Sequence, residues 1–157
     1  MRRDDATVGF EDAVRRTSGL DHAYQTGLQA VSHRDRGRME CQRPSDLVGS
    51  VHLDRALQKS HPNDPRWDYG IGLRRPSGRE VALWVEVHPA TAHGVKEVCA
   101  KHAWLRNWLS SSAPLLDAIT DSYLWIASGK VDIPPDAPQR RRLASQGIRL
   151  VGRKLQL

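Results

Sequence analysis

Cysteine is scarce: Cys41 and Cys99 are the only two in 157 residues. Two cysteines cannot build a disulfide framework or a four-cysteine zinc site, so a reducing, cytoplasmic setting is expected. No apolar run comes near the ~18–20 residues that span a bilayer, which excludes a membrane-embedded protein. The opening stretch MRRDDATVGFED has no apolar core of the kind a secretory signal needs, so none is expected. Acids are missing from one place. Residues 137–157 carry six basic side chains and no acidic one, which equals the whole formal net charge of +6.

What is present has the balance of a folded domain, 39% hydrophobic and 27% charged, rather than that of a disordered or fibrous chain. Residues 1–45 are polar, arginine-rich and nearly neutral, with eight basic and seven acidic side chains. They read as an appendage, partly helical. Asp12 to Val31 is expected to form one or two helices interrupted at Gly19 and Gly27, and SHRDRGRMECQRP to form a linker. Residues 46–157 read as the domain proper. A helix is expected from a Ser45 or Ser50 cap to about Lys59, with Val51, Leu53, Ala56 and Leu57 as its apolar members. Ser60 to Pro65 stops it by turn chemistry.

Arg66 to Arg74 alternates, which predicts a strand with Trp67, Tyr69, Ile71 and Leu73 on one face. Pro76 and Gly78 mark a hairpin loop. Glu80 to His88 predicts a second strand, with Val81, Leu83, Val85 and Val87 on one face and Ala82, Trp84, Glu86 and His88 on the other. Thr91 caps a helix through about Leu109, Tyr123 to Ala127 is a short buried strand, residues 139–146 are helical, and Ile148 to Val151 is a final strand. This is an α/β pattern: a mixed sheet with an antiparallel hairpin, flanked by helices.

The hairpin fixes a geometry. Asp68 and Glu86 are equidistant from Ser77, so a symmetric hairpin places them directly opposite one another, with Gly70 facing Trp84 and Gly72 facing Ala82. Directly opposed Cβ atoms lie about 4.5–5.5 Å apart, and like charges there are destabilising. Glu86 also sits inside the apolar run VALWVEV, where an unpaired carboxylate is costly, and the glycines beside Asp68 are expected to leave open space. A divalent cation is the simplest resolution, because Mg²⁺ is commonly held by one or two carboxylates plus water and substrate phosphate. The alternative is a wet face with two solvated acids.

A strand carrying Asp68, a strand carrying Glu86-Val87-His88, and then a helix and a further strand resemble the PD-(D/E)XK nuclease superfamily over about residues 46–151. The resemblance implies a restriction-endonuclease-like core and metal-dependent phosphodiester hydrolysis of nucleic acid, DNA ahead of RNA. It implies Asp68 and Glu86 as ligands of Mg²⁺ or Mn²⁺, with Asp54 as a further acid of the kind some members carry. His88 stands where the family has lysine. The histidine could serve as base or cation, or the lysine could have migrated to the following helix, where Lys96 and Lys101 are the candidates. Arg140, Arg141 and Arg142, in the acid-free tail, are the candidates for phosphate contact. A competing reading is an inactive nuclease-fold module that binds nucleic acid or a protein partner; a homodimer is compatible with either. His102 falls on an apolar helical stripe and reads as a core histidine. Trp104 and Trp108, one turn apart, read as packing residues.

Overall fold

The computed structural model describes residues 8–157; the first seven residues of the expected N-terminal appendage lie outside it. The chain begins with α1 (Phe10–Arg15), which has no side-chain cap of its own. Instead the Phe10 N–H donates to Glu80 Oε1 at 2.9 Å, across the fold. Phe10, Ala13, Val14 and Leu20 are buried in the main core. Two-residue β1 (Gln25–Thr26) and β2 (Met39–Glu40) flank α2 (His33–Arg36), where the Ser32 hydroxyl accepts from the Asp35 N–H.

A short 3-10 turn then leads into β3 (Leu47–His52) and α3 (Leu53–Ala56). The helix expected over residues 45–59 is therefore mostly a strand, with one helical turn after it. Gly49 and Ser50 are weak helix formers, Val48 and Val51 are β-branched, and the segment gains a ladder against the next strand, interrupted only at Val48. That strand is β4 (Tyr69–Arg74), joined by a tight loop to β5 (Glu80–His88). Next come α4 (Ala92–Ser112), capped by the Thr91 hydroxyl, and α5 (Pro114–Ala118). The chain ends with β6 (Thr120–Ala127), α6 (Pro138–Ser145), β7 (Ile148–Gly152) and β8 (Leu155–Gln156).

Six strands make one mixed sheet in the order β1-β3-β4-β5-β6-β7, and β2 pairs with β8 separately. The pairs β1–β3, β3–β4 and β4–β5 are antiparallel, while β5–β6 and β6–β7 are parallel. The helical connections make the parallel half possible.

Both faces are covered. Ala82, Trp84, Trp125 and Ile148 pack with Val95, Val98, Leu105 and Leu109 of α4 in the larger core. Tyr69, Ile71, Leu83, Val85, Leu124 and Ile126 pack with Val31, Met39 and Leu155 in the smaller one. Trp67 belongs to the larger core, not to the Tyr69 face as alternation predicts. The ladder starts only at Tyr69, so strand alternation does not extend back to Trp67. Among the described residues no helix is long and apolar enough to cross a membrane.

Candidate functional site

Gly70 pairs with Trp84 and Gly72 with Ala82, which is the register of a symmetric hairpin. The ladder ends at Tyr69 and Val85, and Asp68 and Glu86 come next along the two chains. Here side chains replace backbone partners. The Asp68 N–H donates to Glu86 Oε1 at 3.1 Å, and Asp68 Oδ2 accepts the Val87 N–H at 2.9 Å. The Asp68 carbonyl turns away to accept the Leu53 N–H at 2.9 Å, where β3 becomes α3. Each acid thus finishes the hydrogen bonding of the other's strand.

Glu86 is completely buried. A carboxylate in that position needs paired charge and hydrogen bonds, and α4 supplies them. Lys101 Nζ donates to Glu86 Oε2 at 2.5 Å and lies 3.8 Å from Asp68 Oδ1. His93, Glu97 and Lys101 recur at four-residue intervals, so they share one side of the helix. Glu97 reaches both histidines: its Oε2 is 3.3 Å from His88 Nε2 and its Oε1 3.0 Å from His93 Nε2. His88 Nδ1 lies 3.5 Å from Glu86 Oε2. His88 therefore sits between two carboxylates, one from the sheet and one from the helix.

The electrostatics follow from this crowding. Burial, reinforced by the Glu86 charge and opposed by Lys101, pushes Asp68 up to about 7. Burial pulls Lys101 down, but the Glu86 and Asp68 carboxylates outweigh it and hold its ammonium above the usual lysine value. Lys101 is thus a fixed positive charge, and Asp68 is a carboxylate short of compensation.

Of the residues singled out by sequence, the structure brings together Asp68, Glu86, His88 and Lys101. Asp54 borders the group: its N–H donates to the Asp68 carbonyl at 3.4 Å and its charge acts on Asp68 and Lys101, while its Oδ1 is bound by Arg66 Nε at 3.0 Å. Lys96 lies on another side of α4, in a groove with Arg106 and Arg142. In the arginine run, Arg140 donates to the Ile133 carbonyl at 2.9 Å, whereas Arg141 and Arg142 are exposed. The glycines do not leave the expected open space. A Cβ at Gly70 would lie 2.6 Å from Trp84 Cζ3, and one at Gly72 would lie 2.4 Å from the Phe10 ring. Small residues are there because aromatic side chains lie over them.

Sequence reading missed Glu97, although its i, i+4 relation to both His93 and Lys101 was a usable signal. Among the described residues no group of three or more His, Cys, Asp and Glu side chains is arranged as a metal site by itself. No family model, curated protein or solved structure matches the chain.

Proposed function

We propose that this protein is a metal-dependent nuclease, hydrolysing phosphodiester bonds of nucleic acid, DNA ahead of RNA. Its site would be of the PD-(D/E)XK kind, on a restriction-endonuclease-like core. One observation carries the reading: a buried acid, a partly buried acid and an ammonium converge where the central hairpin ends. A structural ion pair needs one acid per lysine, and here the second acid, Asp68, is pushed up to about 7 by burial and the Glu86 charge.

The donor set suits a hard divalent cation. Glu86 Oε2 and Asp68 Oδ1 both face the Lys101 ammonium, so positive charge is stabilised there. Asp68 and Glu86 would hold Mg²⁺ or Mn²⁺, with substrate oxygens and water completing the shell. When bound, the metal supplies charge neutralisation at the phosphate and a more acidic water.

The chain's own groups do the rest. Lys101 keeps its proton and offsets negative charge developing on the phosphoryl oxygens, the part the motif lysine plays in the family. It reaches the acids from α4, which fits the migrated-lysine arrangement better than direct replacement by His88. His88, steered by Glu86 and Glu97, is placed to relay a proton at the rim of the site.

A second reading has its own support. Lys101 already bonds Glu86, so the triad could simply clasp α4 to the hairpin in an inactive module that binds nucleic acid or protein. Incubating the protein with Mn²⁺ and plasmid, single-stranded DNA or RNA separates the two. Cleavage that is lost in Glu86→Gln supports the nuclease; intact substrates in every case support the module.

A further inference from the structure

Between α4 and α6, floored by β6, runs a groove of about 630 Å³. Its walls carry Lys96, Arg106 and Arg142 against one acid, Asp117. Its floor includes Tyr123 and His102, whose rings meet edge to face at 4.5 Å. His102 is only 2% exposed, and its Nε2 has no hydrogen-bond partner among the described residues. The Gln146 side chain approaches the same ring from the groove wall closely enough to favour its protonated form, against the larger effect of burial.

The ring lies beneath the cationic groove, with its Nε2 closed off from solvent. Burial, helped by Arg106, holds His102 well below the ordinary histidine range, at about 4. The ring is therefore neutral at physiological pH and adds no charge to the floor. Three cations against one acid suit phosphate oxygens, and guanidinium forks favour phosphate in particular.

We propose that this groove binds the phosphate backbone of a nucleic-acid strand, with Lys96, Arg106 and Arg142 contacting phosphates over a floor formed by Tyr123 and His102. The identity of the strand as substrate rests on the nuclease reading. Length favours a strand over a lone anion. Lys96 and Arg106 are separated by about 15 Å along α4, at 1.5 Å per residue, which is room for consecutive phosphates. The same helix presents Lys101 to the acids on its other flank, and a helix is only about 10 Å across. A strand lying over α4 can thus occupy the groove and reach the site. Of the three arginines marked by sequence, Arg142 enters the groove, whereas Arg140 is bound to the chain itself.

The test uses the full chain with Glu86→Gln to prevent cleavage, and a fluorescein-labelled single-stranded oligonucleotide read by anisotropy. Adding Arg106→Gln and Arg142→Gln, both at exposed positions, should weaken binding at least ~10-fold at low salt. It should also reduce the slope of log K against log salt by roughly 1.4, about 0.7 per lost single-strand contact. Arg79→Gln with Arg153→Gln, remote from the groove, serves as the control and should change neither as much. Unchanged affinity and slope in the groove variant overturn the inference. So does a groove that takes inorganic phosphate or a mononucleotide, seen as a melting shift, while the oligonucleotide does not bind. The two proposals fail separately. If the native chain cuts nothing but strand binding depends on Arg106 and Arg142, the groove stands and the nuclease falls. If it cuts DNA with a KM indifferent to both arginines, the reverse holds.

Discussion

The main-chain N–H of Asp68 donates to the carboxylate of Glu86. Two acids that should repel are tied together because one offers its backbone rather than its side chain. The Asp68 carboxylate is then free to accept from Val87 and to face Lys101. An arrangement that keeps both acids in place without neutralising both is wasteful for stability alone. It is useful if a further cation is to be bound.

Lys101 is expected to carry the charge that the family lysine provides. Lys101→Met should lower cleavage by about 10²–10³-fold, the usual loss for one electrostatic stabiliser, whereas the exposed Lys130→Met should leave it unchanged. His88→Ala should cost less, under about 10-fold, since a relay group at the rim can be replaced by water. Single-turnover rates on one DNA substrate measure all three. A larger loss from His88→Ala than from Lys101→Met would return the assignment to the histidine.

Stability without metal should respond to pH through two opposed groups. Asp68 rises from its ordinary 3.8 to about 7 in the fold, facing Glu86, Lys101 and Asp54. Its contribution is complete below about pH 4 and is lost as pH rises through about 7. His102 falls from 6.5 to about 4, facing Arg106 and Gln146. Its contribution is complete above about pH 6.5 and is lost as pH falls towards 4. Between these limits the slopes oppose, each at most about 1.4 kcal/mol per pH unit. Urea unfolding in chelator should then show stability climbing with pH in Asp68→Asn and falling with pH in His102→Asn. Identical profiles in both variants would remove the assignment.

Gly70 should be intolerant of a side chain. A Cβ there would also meet Val51 Cγ1 at 3.1 Å, beneath a fully buried Trp84. Gly70→Ala should destabilise by about 1–3 kcal/mol, the range for overpacking a dense core. A melting temperature equal to that of the native chain would show that the indole can move aside.

Much of this was legible from alternation. The pairing of Gly70 with Trp84 and the long α4 follow from periods of two and 3.6, as does the position of Asp68 opposite Glu86. The early chain was not. Val48, Gly49, Ser50 and Val51 are ambiguous alone, and they become a strand because β4 is there to pair with. Phe10, Val14 and Leu20 give only a weak local pattern, yet they fill the core beside Gly72. In the site, Asp68 and Glu86 could be matched by counting from the loop. Choosing Lys101 over Lys96 required the rotation of α4 about its axis, which depends on long-range packing of Val95, Val98, His102 and Leu105. The His102 groove depends on α6 docking, for which its eight residues give little periodic signal.

Mn²⁺ binding measured by titration calorimetry tests the central claim most directly. The native chain should bind Mn²⁺ at one site, with affinity increasing as pH rises through about 7 because a ligating carboxylate must lose its proton. Glu86→Gln and Asp68→Asn should each abolish that heat while keeping the fold. Mn²⁺ binding that is unaffected by both substitutions, or no binding by the native chain at neutral pH, would contradict a metal site at the end of the hairpin.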